Sequence, residues 1–291
     1  MKAMKKFYTI FLIKGIDLKL TSSITIVLLN ELWRNIKMRL EQKVALITGG
    51  GTGIGLDIAK KYVEEGAFVY ITGRRENKLQ EAIRMIGKNI VYVVADVTKK
   101  EDMGKVAFRI QKEKGHLDIL IANAGVGNYV AIEDITLEEF NRVMYTNVLG
   151  TYYCAQVCLP LMKEGSTIIL NTSVTASLGL PNFSLYIAAK SAVKSFIHTW
   201  TSELRDRKIR VNALAPGIVP TDAAGKELGR NLQKEKEVQA YRSSLIPAGR
   251  VGNVNDISSV AVFLGSDESS YINGIEILVD GGLASIYPVK L

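Results

Sequence analysis

Val44-Ala-Leu-Ile-Thr-Gly-Gly-Gly-Thr-Gly-Ile-Gly55 decides the fold. Its first four residues are an apolar run of strand length, a glycine-rich loop follows, and Asp57–Glu65 continues with helical periodicity to Gly66. Beyond that glycine a second apolar run, Ala67-Phe-Val-Tyr-Ile-Thr72, reads as another strand. Two strands joined through a helix lie parallel, because the crossover returns the chain to the same end of the sheet. Glycines at the first turn let a phosphate approach the backbone closely, and the free N–H groups and dipole of the helix start favour an anion there. A glycine loop by itself is only a tight turn. Its place between strand and helix points to a nucleotide.

Further apolar runs continue the pattern. Ile90–Ala95 ends in Asp96-Val97, Leu117–Ala122 ends in Asn123-Ala-Gly125, and Ser166–Leu170 ends in Asn171-Thr-Ser173. Ile209–Ala213 leads into Pro216-Gly-Ile-Val-Pro-Thr221, and Gly274–Gly282 carries a last strand. The ends of parallel strands share one edge, where ligands bind. Leu137–Lys163 reads as one long helix with Asn147, a poor interior helix residue, in its middle. Tyr186 and Lys190 stand four residues apart in a buried-looking helix, so both side chains lie on one face. A phenol titrates near 10, and its use as a proton donor near neutrality needs help worth about 4 kcal/mol, part of which a neighbouring ammonium supplies. Taken alone, the pair reads as an ordinary Tyr and Lys on a half-exposed helix face.

Composition bounds the rest. The 291 residues are 47% hydrophobic and 23% charged, enough for one large α/β domain or two small ones. The formal charge of +8 is concentrated at the start: residues 1–42 hold eight basic and three acidic residues, which leaves +3 for the other 249. No basic stripe interleaved with aromatics marks a nucleic-acid surface. Cys154 and Cys158, at helical spacing in an apolar run, read as core thiols and fit a reducing, cytoplasmic location. Neither they nor the lone His116 and His198 make a metal site, and none is expected.

Residues 1–40 begin like a signal peptide, but Lys14, Asp17 and Lys19 interrupt the apolar run and no small-residue cleavage pattern follows. The reading favoured is an accessory extension. A membrane-contact helix, or residues translated from upstream of a start at Met38, are the alternatives.

The spacing Thr48-Gly-x-x-x-Gly-x-Gly55, followed by Asn123-Ala-Gly125, Asn147, Ser173, Tyr186 and Lys190, resembles the short-chain dehydrogenases/reductases over residues 41–284 or so. The bacterial 3-oxoacyl-carrier-protein reductases and glucose dehydrogenases are the branch most similar in the C-terminal half. The resemblance implies a doubly wound, seven-stranded parallel Rossmann sheet with helices on both faces, as a single α/β domain over 41–291 with a substrate lid at about 222–246. It implies a catalytic set of Asn147, Ser173, Tyr186 and Lys190, with a water on the Asn147 carbonyl linked to the lysine. The cofactor would meet Thr48, Gly49, Gly51, Thr52, Gly53 and Ile54 in the glycine loop, and Asp96 and Val97 at the adenine. Asn123, Ala124 and Gly125 would lie beside it, Tyr186 and Lys190 at the nicotinamide ribose, and Pro216, Gly217, Ile218 and Thr221 along the nicotinamide.

Where NAD-dependent members hold the ribose with an acidic residue, this chain has Gly73 followed by Arg74 and Arg75, which suits a 2′-phosphate. NADP(H) is therefore preferred, with NAD(H) the alternative; Thr52 departs from the basic residue that some NADP-dependent members carry in the loop. The activity implied is hydride transfer between the nicotinamide and a small-molecule carbonyl or alcohol, with a 3-oxoacyl thioester or a sugar among the candidate substrates. Gly179, Leu180, Pro181, Phe183, Tyr129 and Val130 suggest a partly apolar pocket, and Lys226 and Arg230 are too few for a carrier-protein docking patch. A nucleotide-sensing regulator is the non-enzyme alternative. Relatives of this kind are homo-oligomers, tetramers or dimers, and Ala192, Val193, Phe196 and Trp200 would serve that interface or the core.

Overall fold

The computed structural model describes residues 38–221 and 232–286, the side chains of 232–236 excepted. Most of the expected N-terminal extension and the first part of the expected lid, with Lys226 and Arg230, lie outside the described residues. From Arg39 onward the chain forms one compact unit. No described helix is long and apolar enough to cross a membrane.

Strand and helix alternate from the start. β1 (Val44–Thr48), α1 (Gly53–Glu64), β2 (Phe68–Gly73), α2 (Glu76–Ile86), β3 (Ile90–Val94), α3 (Lys100–Lys114) and β4 (Leu117–Ala122) form the first half. α4 (Leu137–Met144), a π-helical turn (Tyr145–Leu149), α5 (Gly150–Cys158), β5 (Met162–Asn171), α6 (Ser184–Glu203), β6 (Arg210–Pro216), α7 (Leu232–Leu245), α8 (Val254–Gly265) and β7 (Glu276–Val279) complete it. The seven strands lie in the order β3-β2-β1-β4-β5-β6-β7, and every pairing is parallel. The order reverses between β1 and β4, which opens a crevice at their C-terminal ends.

Each strand alternates its side chains between two cores. Ala45, Ile47, Val69, Ile71, Ile119 and Ile121 pack with α1, α2 and α8 through Ile58, Tyr62, Leu79 and Ile257. Val44, Leu46, Tyr70, Leu120, Ile168 and Leu170 pack with α3, α5 and α6 through Met103, Ile110, Cys154, Cys158, Val193 and Trp200. Burial of both faces is why the strands read as continuous apolar runs rather than alternating ones. Val193 and Trp200 therefore belong to the core, while Phe196 packs at its margin.

The long helix expected over Leu137–Lys163 is corrected in two places. It is interrupted by the π-helical turn around Asn147, and it ends in a 3-10 turn at Leu159–Leu161, after which Met162 already belongs to β5. Pro160 is the reason for the second, since a proline inside a helix removes a backbone donor and clashes with the preceding turn. β5 then pairs irregularly, Leu117 opposite Met162 and Ile119 opposite Thr167, so the strand starts earlier than its apolar run.

Candidate active site

The crevice begins at the glycine loop. Gly49 adopts φ +65°, a conformation that side chains disfavour. A side chain at Gly55 would run into the Gly49 carbonyl and the Asn123 amide. The loop is thus folded back tightly on β4. Among the described residues the N–H groups of Ile54 and Gly55 have no acceptor, and Thr52 caps α1 without a side-chain bond. Open donors at a helix start behind a glycine turn fit the phosphates of a dinucleotide. A carbon added to Gly53 would lie 3.2 Å from the Thr221 methyl group, so the segment after β6 reaches the loop.

Thr48 and Asn123 hold this edge together. The buried Thr48 hydroxyl accepts from the backbone N–H groups of Asn123 and Ala124, both at 3.0 Å. Asn123 donates its amide to the Thr48 carbonyl at 2.9 Å, and its side-chain oxygen accepts from Asn171 Nδ2 at 2.9 Å. Asp96 accepts from Thr98 N and Oγ1, at 3.0 and 2.8 Å, in a local turn at the end of β3, and buried Val97 packs against Gly150. Arg74 and Arg75 are exposed just past β2, and neither forms an ion pair among the described residues. Pro216 is buried, Gly217 packs on Asp280, and the Ile218 carbonyl accepts from Gly252 N at 2.9 Å. A cavity of about 470 Å³ opens beside Gly217 and Ile218, lined also by Arg250, Asp256 and Asp280.

The structure brings Asn147, Lys190 and Gly125 to one point. A carbon added at Gly125 would stand 2.6 Å from Asn147 Oδ1 and 3.3 Å from Lys190 Nζ. Asn147 donates to the carbonyls of Val126 (2.7 Å) and Val143 (2.9 Å), while its buried Oδ1 has no partner among the described residues. Its backbone carbonyl takes the Thr151 hydroxyl at 2.7 Å. The π-helical turn arises where these bonds draw Asn147 out of helical register. Lys190 is 4% exposed and donates to the Asn171 carbonyl at 2.6 Å. Removal from water lowers its pKa to about 8, because burial disfavours the ammonium.

Tyr186 lies on the same face of α6, with its ring centroid 5.6 Å from the Lys190 ammonium. Its ring stacks on Phe183 at 4.5 Å, and Phe183 stacks on Tyr129 at 4.2 Å and 7°. The loop after β4 and the loop before α6 are joined there by Val130 N donating to the Asn182 carbonyl at 2.7 Å. The partly apolar wall read from Tyr129, Val130 and Phe183 is thus a stack of aromatic rings beside the tyrosine. Ser173, 8% exposed, accepts from Thr175 Oγ1 at 2.9 Å and Thr175 N at 3.3 Å. Both bonds fall on its oxygen, which leaves its own proton to donate outward.

Asn171 and Thr175 escape a reading of the sequence. Asn171 acts through a backbone carbonyl, which every residue has, and Thr175 looks like one more hydroxyl in a polar turn. The only cue was their place beside Ser173 at a strand end.

Residues 49–284 match a family model described as enoyl-(acyl carrier protein) reductase. The oxidoreductase asL5 of Sarocladium schorii is 40% identical over 250 residues, which are 85% of this chain and 98% of that protein. Versicolorin reductase 1 of Aspergillus parasiticus is 36% identical, over 84% of this chain and 97% of its own length. A hydroxynaphthalene reductase-like protein of Metarhizium brunneum is 34% identical, over 84% and 95%. Among solved structures, the ligand-free aldohexose dehydrogenase of Thermoplasma acidophilum superposes with a TM-score of 0.78 at 29% identity, covering 87% of this chain and 98% of that one. Likeness of this extent, in sequence and in the parallel sheet alike, makes the chain a member of the short-chain dehydrogenases/reductases, oxidoreductases that transfer a hydride to or from a nicotinamide cofactor.

Proposed function

We propose that the protein is an NADP(H)-dependent reductase of carbonyl groups on apolar, ring-bearing molecules. The observation that carries the cofactor preference is the pair Arg74 and Arg75, exposed at the end of β2 without an ion pair among the described residues. Two guanidinium groups and no carboxylate favour a 2′-phosphate over a free ribose hydroxyl pair. The substrate class is supported by the stacked rings of Tyr129, Phe183 and Tyr186, an apolar wall for a flat molecule. Two of the relatives carry names of ring-bearing substrates, a versicolorin and a hydroxynaphthalene.

A bound nicotinamide supplies the hydride in reduction and accepts it in oxidation. Tyr186 passes its phenolic proton to the carbonyl oxygen as negative charge grows there, or takes it from the alcohol in the reverse direction. Ser173 donates its free proton to the same oxygen, held in that sense by the two bonds from Thr175. The Lys190 ammonium stabilises the charge left on the tyrosine oxygen and stands ready for the ribose of the cofactor. Asn147, whose Oδ1 has no partner among the described residues, offers an acceptor for a relay water beside the lysine.

Homo-oligomer formation is supported by a groove of about 270 Å³ lined by Met144, Tyr145, Val148, Leu149, Tyr152 and Phe196, with Tyr145 and Tyr152 exposed. The buried free thiols Cys154 and Cys158 support a reducing compartment.

Turnover with 2-tetralone, acetoacetyl thioester and aldohexose, each with the phosphorylated and the unphosphorylated cofactor, tests the reading. NADPH with 2-tetralone should be the best pair, and Arg74→Ala with Arg75→Ala should erase the preference for NADPH. Tyr186→Phe should lose turnover and keep NADPH binding by fluorescence. Equal use of NADH by the parent, or an active Tyr186→Phe, overturns it.

A further inference from the structure

We propose that the ion pair between Lys194 and Glu276 is a clamp that positions Ser173 against Tyr186. Glu276 comes from β7 and Lys194 from α6, one helical turn beyond Lys190, and their charged atoms are 2.5 Å apart. The Glu276 side chain is 8% exposed, so the pair is formed at the margin of the interior. Each partner also grips the segment that carries Ser173. Glu276 Oε1 accepts from the Thr172 hydroxyl at 2.7 Å, immediately before the serine, sharing that proton with the Leu214 carbonyl at 2.9 Å. Lys194 donates to Ser177 Oγ at 3.2 Å, at the end of the 3-10 turn Val174–Ser177 that Ser173 caps.

One ion pair therefore holds both ends of residues 172–177. Its ammonium rides on the helix that bears Tyr186 and Lys190, so the serine loop is indexed to the tyrosine helix through side chains. Each of the other ties lies at one end: Lys190 Nζ donates to the Asn171 carbonyl at 2.6 Å, Thr172 N to the Leu214 carbonyl at 2.8 Å, and Ser191 Oγ to the Ala176 carbonyl at 3.3 Å. Two groups must meet one carbonyl oxygen in the reaction, and a shift of a fraction of an ångström between them is felt in turnover more than in binding. Both residues are positioning residues, since neither reaches the crevice itself. Nothing in the sequence joins them, for 82 residues separate a lysine on a helix from a glutamate in a strand.

The inference rests on the roles proposed for Ser173 and Tyr186, and the test separates the two. Steady-state turnover of 2-tetralone with NADPH is measured for Lys194→Met, Lys194→Arg and Glu276→Gln, each in the parent and in a Ser173→Ala background, alongside thermal melting. Lys194 is the more exposed partner, which makes its replacement the safer fold. Lys194→Met and Glu276→Gln should lower kcat about tenfold with the KM for NADPH unchanged, and Lys194→Arg should restore it. In the Ser173→Ala background the same changes should have no further effect. An unchanged kcat in folded Lys194→Met, or an equal loss with and without Ser173, overturns the clamp. Parent-level activity in Ser173→Ala overturns the role of the serine itself, and the clamp with it.

Discussion

Lys190 is an ammonium taken almost wholly out of water, with the Asn171 backbone carbonyl as a partner. Burial lowers its pKa to about 8, whereas an unfolded chain keeps the ordinary lysine value near 10.5. Between those two values the unfolded state holds a proton that the folded state has released, so stability contributed through this residue rises with pH across that window. Below pH 8 both states are protonated and the penalty of burying the charge is fully present. The unfolding free energy of the parent should therefore climb relative to Lys190→Met by roughly 3 kcal/mol between pH 8 and 10.5. Urea titrations of the two proteins at both pH values check it, and a difference that stays flat refutes it. At this scale the sequence was readable where spacing on one helix was enough, as for Tyr186 and Lys190. The carbonyl of Asn171 was not readable, because only folding decides which backbone oxygen an ammonium meets.

Elements show the next level of control. The π-helical turn at Tyr145–Leu149 brings Asn147 to Lys190 within a helix that otherwise continues, and Asn in mid-helix was a sign of it. The sequence did not show the form of the interruption, since that depends on the Val126 carbonyl supplied by the loop after β4. The glycine loop was more legible. Glycine is required at position 55 because the α1 start lies directly on the Gly49 carbonyl and the Asn123 amide. Gly55→Ala should destabilise the protein by about 1–3 kcal/mol through overpacking. NADPH binding should weaken with it, because the loop that carries the open N–H groups must shift. Melting and a fluorescence titration measure both effects; a variant that melts and binds as the parent does contradicts the packing argument.

At the scale of the whole molecule, seven parallel strands bury both faces under helices, and the ends of β1, β4, β5 and β6 carry the site residues to one edge. The same architecture leaves an apolar groove at Tyr145, Tyr152 and Phe196, on the helices behind the site. If that groove joins copies of the chain, a carboxylate buried there would have no partner. Tyr152→Glu should convert the protein to a smaller species by light scattering after size exclusion, with the far-ultraviolet circular dichroism of the parent. An unchanged mass places the contact elsewhere. The sequence by itself determined the βαβ alternation, the parallel sheet, the glycine loop and the Ser173–Tyr186–Lys190 spacing. Those depend on residue type at short range: periodicity, turn chemistry and helical spacing. Only the tertiary structure decided that Asn123 and Asn171 knit the strand ends together, that rings stack beside Tyr186, and that Lys194 meets Glu276. Such partners lie far apart in the chain, and they are selected by packing of the two cores, which no local pattern encodes.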